Sequence, residues 1–193
     1  IITQKPKKIS VIEKDESLAH ILRKKFSNKI SIINKDILKI PHEFYYGKKF
    51  LILGNLPYNI STKILSNLCL NNKLNVSKMI LMFQKEVAER ILAVVNSKEY
   101  SRITILTNWK FHIRKVTDVK PNSFFPKPKV YSTVLKFTPK QKIHEIKDPK
   151  NLEKITKVFF NQRRKMIKKP INILFRNSKF NYEKFKINPS DRP

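Results

Sequence analysis

The sequence predicts an α/β fold, in which a mostly parallel sheet carries helices on both faces and is followed by a smaller region of helices alone. The first observation is that short apolar runs alternate with helical patterns along residues 1–138, as in βαβ units. The second is that strand patterns stop at Pro139. The third is a composition of 40% hydrophobic and 10% aromatic residues, which is sufficient for a core and excludes general disorder.

The elements of the first region follow from the spacing of the apolar residues. Continuous apolar runs indicate buried strands, and apolar residues repeated every three or four positions indicate amphipathic helices. On this basis we predict strands at 8–12, 29–33, 50–53 and 78–83, and helices at 15–27, 60–71 and 85–95. Residues 103–108 fit a helix or a strand equally well.

The order of apolar and polar residues changes in the second half of the chain. Alternating apolar and polar residues at 109–119 and 131–137 predict half-buried antiparallel strands. The proline-rich link between them, residues 119–130, is incompatible with regular structure. Beyond this point we predict only helices, at 151–162, 165–176 and 182–186.

A domain boundary is expected near residues 140–148, where both the pattern and the charge density change. It gives a first domain over residues 1–140 and a helical, basic domain over 141–193. Residues 139–193 contain 16 Lys plus Arg against 5 acids, a denser positive charge than in the first region.

The whole chain has 42 Lys plus Arg against 14 Asp plus Glu, a formal net charge of +28. A lysine-rich composition can reflect an AT-rich genome, but that bias does not deplete acidic residues. Repulsion among so many positive charges disfavours a compact state, so a polyanionic partner is the better explanation of the excess charge. Nucleic acid fits better than a membrane, because the sequence shows no strongly amphipathic basic helix and no apolar run near about 18 residues.

The cysteine and histidine residues exclude other classes of site. Cys69 is the single cysteine, which excludes an internal disulfide framework and indicates a reducing, cytoplasmic setting. Cys69 also lies within an apolar helical pattern, which predicts a thiol in the core. The four histidines have no metal-ligand spacing, so no metal site is predicted.

Polar residues follow three of the predicted strands at their carboxyl ends, where ligands bind in doubly wound sheets. Glu13 ends the first strand, Asp36 follows the second, and Asn55-Leu56-Pro57-Tyr58 follows the third. A carboxylate in the position of Glu13 can bridge both hydroxyls of a ribose. Taken singly, Glu13 could be a solvated strand end and Asp36 the cap of a short turn. Their shared edge favours ligand binding.

The tetrapeptide from Asn55 to Tyr58 is the sharpest signal. An exocyclic purine amine is a poor nucleophile, because its lone pair is delocalised into the ring. To attack a methyl group, the amine nitrogen must rehybridise so that its lone pair leaves the ring system. Hydrogen-bond acceptors aimed at the two amine protons favour this change, because positive charge develops on the nitrogen during the attack. The Asn55 side chain and a backbone carbonyl beside Pro57 can supply two acceptors, and Tyr58 offers a face for an extruded base. The alternative is an ordinary turn with a core tyrosine.

Four segments closely resemble one protein family, the ribosomal small-subunit RNA adenine-N6 dimethyltransferases. They are GNLPYNIST (54–62), QKEVAERI (84–91), PNSFFPKPKVYS (121–132) and, at the start of that family's C-terminal helical domain, FFNQRRK (159–165). The resemblance covers nearly the whole chain, in order and spacing. It implies a Rossmann-like S-adenosylmethionine-dependent methyltransferase domain with a small all-α C-terminal domain. It also implies N6,N6-dimethylation of two adjacent adenosines in a hairpin near the 3′ end of small-subunit rRNA.

The resemblance assigns roles to single residues. Glu13 matches the acid that holds the ribose of S-adenosylmethionine, and Asp36 matches the acid beside the adenine amino group of that cofactor. Asn55, which also borders the cofactor, and the backbone of Leu56 match the acceptors for the target N6. The remaining matches are the turn proline Pro57, the stacking ring Tyr58 and Phe124, which closes the target base from its other side.

Two of these segments allow another interpretation. Phe124 could simply anchor its loop, because Phe125 is adjacent. The basic run suits rRNA phosphates, but it could also be a solvated helix face; its members are Arg163, Arg164, Lys165, Lys168 and Lys169. The implied partner is small-subunit rRNA or the immature small subunit, and a monomer without membrane contact is expected.

The glycines depart from the family pattern. Gly47 and Gly54 are the only two in the sequence, so it contains no glycine-rich loop for the methionine end of the cofactor. That loop lies about 20 residues before the ribose acid in nucleotide-binding units, whereas 12 residues precede Glu13. We therefore expect a fragment that is shortened at both ends, lacks a central strand and binds the cofactor weakly.

Two other functions remain open from the sequence. A resistance-type adenine methylase of large-subunit rRNA shares an NxPY motif and the fold. A non-catalytic rRNA-binding or assembly factor on the same scaffold would not need the glycine-rich loop. Leu56, the QKEVAERI segment and the basic C-terminal helices favour the small-subunit enzyme.

Overall fold

The structure is a computed structural model that describes residues 6–26, 29–176 and 180–193. Its internal contacts divide the chain into two compact units, Ile1–Tyr46 and Gly47–Pro193. The expected domain boundary near residues 140–148 lies within the second unit and stays a prediction.

The first unit is a βαβ unit with a short parallel sheet. Strands β1 (Ser10–Glu13) and β2 (Ser31–Asn34) pair in parallel, and helix α1 (Glu16–Phe26) connects them. Asp15 caps the helix by accepting a hydrogen bond from the Leu18 N–H at 2.9 Å. These elements confirm the three predicted at 8–12, 15–27 and 29–33, apart from residues 27 and 28, which lie outside the described residues.

The second unit contains a four-stranded mixed sheet in the order β3-β4-β6-β5. Strands β3 and β4 are parallel, whereas β6 pairs with β4 and with β5 in antiparallel register. The antiparallel pairs confirm the strand direction predicted for the last two strands, although β5 is mostly exposed and shows no regular alternation of burial. The strands are β3 (Lys49–Asn55), β4 (Asn75–Gln84), β5 (Phe111–Val119) and β6 (Ser132–Pro139).

Five helices accompany this sheet among the described residues: α2 (Ser61–Leu70), α3 (Lys85–Leu92), α4 (Arg102–Lys110), α5 (Pro149–Asn161) and α6 (Lys168–Leu174). Residues 103–108 are therefore helical, and a capping box between Ser101 and Thr104 starts their helix. The helix predicted at 182–186 is wrong, because these residues form turns. None of the helices in the described ranges is long and apolar enough to span a bilayer.

The core of the second unit follows the period of its central strands. Met79, Leu81 and Phe83 alternate along β4 and are fully buried, as are Leu135 and Phe137 on β6. The Phe137 ring makes edge contacts with Phe83 and with Phe111 of β5, at centroid distances of 6.2 and 6.0 Å. The central strands β4 and β6, and the start of β5, are thus fixed by packing.

Cys69 confirms the predicted core thiol, because it is fully buried in α2. Burial raises the pKa of this thiol from 9.0 to about 12, and the positive charge of Lys110 opposes that rise. At pH 8 the thiolate fraction is then on the order of 1 in 10,000. We expect iodoacetamide to leave Cys69 unmodified in the native protein at pH 8 and to alkylate it completely in urea. Native labelling at the rate of a free thiol would contradict this placement.

Candidate active site

The carboxyl ends of the two strands in the first unit are joined by side chains. Glu13 is half-buried at the end of β1, and its Oε1 accepts a hydrogen bond from the Asp15 N–H at 2.8 Å. Asn34 ends β2 opposite Glu13, and its Nδ2 donates to the carbonyl oxygens of Glu13 (3.0 Å) and Lys14 (3.2 Å). Asn34 thus holds the backbone at Glu13, and the Asp15 N–H orients the carboxylate. Sequence reasoning missed Asn34, whose only signal is its place at the end of a strand.

Asp36 lies two residues beyond β2, as predicted, and does cap a short turn. Its Oδ1 accepts from the Leu38 N–H at 2.9 Å, at the start of the 3₁₀ turn Ile37–Lys39. Its Oδ2 is 3.7 Å from Nζ of the exposed Lys14, a long contact of small energetic weight. An ionised carboxylate has about four lone-pair sites, so capping leaves acceptor capacity for a ligand.

Asn55 is the last residue of β3, is paired with Met82 of β4 and is exposed. Its neighbour Gly54 leaves room for the side chains of Leu56 and Leu81. A Cβ at Gly54 would be 2.9 Å from Leu56 Cδ2 and 3.1 Å from Leu81 Cδ2, closer than ordinary contact. Glycine therefore lets the half-buried Leu56 fold back against the sheet, with its backbone directly after Asn55.

Tyr58 is attached to the sheet through its hydroxyl group. Its Oη is 2.6 Å from Oγ of Ser132, the fully buried first residue of β6. The Ser132 backbone pairs with Gln84 of β4 and Val119 of β5, so three strands meet at this point. The ring itself is half-buried, in contrast to the alternative of a core tyrosine. Sequence reasoning missed Ser132, because 74 residues separate it from Tyr58.

A double-mutant cycle tests this attachment. Tyr58→Phe keeps the ring but leaves a buried Ser132 hydroxyl without its partner, so we expect the free energy of unfolding to fall by about 1 kcal/mol. Ser132→Ala should cost a similar amount, and the double variant little more than either single one. Urea unfolding of the four proteins measures the coupling. Fully additive effects would show that the two hydroxyl groups do not interact in solution.

Phe124 and Phe125 belong to the loop between β5 and β6, residues 120–131. Phe124 is half-buried, with extended backbone (φ −122°, ψ 150°), and its N–H donates to the Pro121 carbonyl at 3.2 Å. Phe125 is 101% exposed. The structure thus gives Phe124 a loop-anchoring contact, and its role at the target base stays a prediction.

The start of this loop is held by Asp118 at the end of β5. Its Oδ2 accepts from Lys115 Nζ at 2.6 Å and its Oδ1 from Thr133 Oγ1 at 2.7 Å. These two hydrogen bonds keep the pKa of Asp118 below its usual value, and the one from Lys115 has the larger effect. A lowered carboxyl pKa means that the contacts persist at neutral pH and are lost only below the ordinary carboxyl range.

The five basic residues singled out in the sequence are all exposed, but they do not form one helix face. Arg163, Arg164 and Lys165 lie in the turn after α5, and Lys168 and Lys169 begin α6. Arg163 Nη2 also donates to the Ser97 carbonyl at 3.2 Å. An open groove of about 440 Å³ lies beside them, lined by Lys165, Met166, Lys168, Lys169, Asn172, Ile173 and Arg176.

The charges of this basic cluster (Arg163, Arg164, Lys165, Lys168 and Lys169) do not stabilise α6. A helix N-terminus carries a partial positive charge, so lysines in the first turn are unfavourable there. An anionic partner would remove that cost. Among the described residues, no group of three His, Cys, Asp or Glu is arranged to hold a metal ion.

Two solved structures share this arrangement of strands and helices. A dimethyladenosine transferase from Plasmodium falciparum superposes with a TM-score of 0.77 at 28% identity, covering 100% of this chain and 72% of that one. The 23S rRNA methyltransferase ErmE superposes with a TM-score of 0.62 at 22% identity, covering 96% of this chain and 75% of that one. Because the identity is this low, the match supports the fold alone. The fold class is that of the Rossmann-like methyltransferases.

The sequence comparisons are more specific. The model of the family "Ribosomal RNA adenine dimethylase" matches residues 1–192. A ribosomal RNA small subunit methyltransferase A from Pelagibacter ubique is 51% identical over 195 residues, covering 100% of this chain and 74% of the relative. A protein of the same name from Wolbachia pipientis is 35% identical over 196 residues, with the same coverage. The chain belongs to the ribosomal RNA adenine dimethylase family, which confirms the resemblance found in its motifs.

Proposed function

We propose that the chain transfers methyl groups from S-adenosylmethionine to N6 of two adjacent adenosines in a hairpin near the 3′ end of small-subunit rRNA. The observation that carries this proposal is the Asn55–Tyr58 turn at the end of β3, in a member of the adenine dimethylase family. The function requires a cofactor site, acceptors for the amine and a surface for RNA.

Glu13 and Asp36 are the residues that would hold the nucleoside of the cofactor. Their chemistry fits, because carboxylates at the ends of parallel strands accept hydrogen bonds from ribose hydroxyls and from an adenine amino group. The hydrogen bonds from the Asp15 and Leu38 N–H groups orient the two carboxylates before a ligand arrives. When bound, S-adenosylmethionine supplies an electrophilic methyl group on a sulfonium centre.

Asn55 and the Leu56 carbonyl would accept the two protons of the target amine. These acceptors favour the geometry in which the nitrogen lone pair leaves the ring system, and no group has to change its protonation state. Tyr58, held by Ser132, offers a ring for the extruded base, and Phe124 would close it from the other side. Positioning and exclusion of water would supply most of the rate enhancement.

We assign RNA binding to the basic cluster, which lies in the helical domain, residues 141–193. Residues 1–140 form the methyltransferase domain in this proposal. The five cations fall within seven consecutive residues, 163–169, and three of them line the groove. We further propose that the chain acts as a monomer in the cytoplasm, on immature small subunits. This assignment is consistent with the net charge of +28.

The test is a methylation assay on small and on large ribosomal subunits, both unmodified, with S-adenosylmethionine labelled in its methyl group. We expect N6,N6-dimethyladenosine in a nuclease digest, at two adjacent positions of the small-subunit RNA. Label in large-subunit RNA would favour the resistance-type activity instead. Tight RNA binding without any label would favour a non-catalytic assembly factor.

A further inference from the structure

The side chain of Phe125 is 101% exposed. An apolar ring in water contributes nothing to the core, and its contact area becomes favourable only when a partner covers it. Phe125 directly follows Phe124, whose backbone is extended at φ −122° and ψ 150°. Side chains of successive residues in an extended segment point to opposite sides. The two rings therefore face different directions.

The loop that presents Phe125 is fixed at both ends near Tyr58. Val119 before it and Ser132 after it are paired, and Ser132 holds the Tyr58 hydroxyl. Inside the loop, the Ser123 N–H donates to the Lys120 carbonyl at 3.0 Å. Phe125 is thus carried on an anchored segment, next to the ring proposed to close the target base.

The charges around Phe125 indicate the kind of partner. Lys120, Lys127 and Lys129 are exposed in the same loop, and residues 119–131 contain no acidic residue. Exposed aromatic rings set among cations are typical of surfaces for single-stranded nucleic acid, in which bases stack and phosphates meet lysines. An apolar protein partner would not need three lysines here.

We propose that the Phe125 ring stacks on the unpaired base beside the target adenosine, while the loop lysines contact its phosphates. This inference rests on the proposed function, since it requires a substrate with two adjacent unpaired adenosines. Phe124 and Phe125 then hold neighbouring bases of the RNA on opposite sides of the extended protein backbone that carries the two rings. Phe125 is an RNA-positioning residue, which helps to keep the second base unstacked from the first.

The experiment measures binding of a hairpin RNA whose loop contains two adjacent adenosines, with 2-aminopurine replacing each in turn. Stacking on an aromatic ring quenches the fluorescence of 2-aminopurine, so binding of the wild-type chain should lower the fluorescence of the probe. We expect Phe125→Leu to weaken binding by about 5- to 150-fold and to restore fluorescence at one position. Phe125→Trp should retain both affinity and quenching. Val130→Ala, at an exposed apolar residue of the same loop, is the matched control and should change neither.

Further readouts separate stacking from other roles. Phe125→Leu should leave the melting temperature and the salt dependence of binding unchanged, whereas Lys127→Gln should flatten the salt dependence. A lower melting temperature would make Phe125 a structural residue and overturn the proposal. Unchanged affinity and quenching in Phe125→Leu would also overturn it, and would leave the ring as a contact for a protein partner. If the wild-type chain does not prefer the adenosine loop over a loop without adenosines, the proposed function fails, and this inference with it.

Discussion

Asn55→Ala is expected to lower the rate of methyl transfer by about 100-fold or more, because it removes one of two acceptors for the target amine. Asn55 is exposed at the end of β3, so its truncation creates no cavity in the core. RNA affinity should stay close to that of the wild type, since the acceptor acts on developing charge rather than on the bound ground state. Single-turnover methyl transfer and filter binding measure the two effects separately.

The matched control is Asn59→Ala. Asn59 is also exposed and belongs to the same segment before α2, but it lies beyond Tyr58 and has no proposed contact with the amine. It should retain nearly full activity. Retained turnover in Asn55→Ala would remove the acceptor role, and equal losses in both variants would indicate that the turn had been disturbed instead.

Replacing Arg163, Arg164 and Lys165 with glutamine is expected to weaken binding to small-subunit RNA by roughly 10-fold or more at moderate salt. The plot of log affinity against log salt concentration should lose about 2 to 3 units of slope, as three phosphate contacts disappear. Affinities measured from about 50 to 300 mM salt test both effects. An unchanged slope would show that these residues form only a solvated surface.

Two controls accompany this variant. Replacing Arg23, Lys24 and Lys25 of α1 removes the same charge from another exposed segment, and its smaller effect would exclude a simple response to net charge. A variant that keeps Arg163 and changes Arg164, Lys165 and Lys168 preserves the hydrogen bond to the Ser97 carbonyl. If only the variants that change Arg163 lose affinity, the contact with Ser97, and not the RNA, would explain the loss.

Local patterns were sufficient to predict most of the strands. Buried residues alternate along β4 because one set of its side chains faces the core, and this alternation is visible in the sequence. The same reasoning placed Glu13 at the end of one strand and Asp36 two residues beyond the next, where the structure has them. Patterns could not decide residues 103–108, because a helix whose residues are buried on several sides has no clear amphipathic period.

Contacts between distant residues were beyond such reasoning. The hydrogen bond between Tyr58 and Ser132 depends on how β6 is inserted between β4 and β5, which the periodicity of neither segment reports. The hydrogen bonds from Asn34 to Glu13 and Lys14 likewise depend on parallel register across about 20 residues of sequence. The basic cluster was found by composition, but its position in a turn and not on a helix face required the structure.

The contact between Tyr58 and Ser132 has a consequence for how relatives of this chain can diverge. Because the serine hydroxyl is fully buried, it is tolerated there only while the phenol is present to satisfy it. We therefore expect the two positions to covary among homologues: tyrosine at 58 with a small hydroxyl residue at 132, and phenylalanine at 58 with alanine or glycine at 132. An alignment in which the two positions vary independently would contradict this coupling.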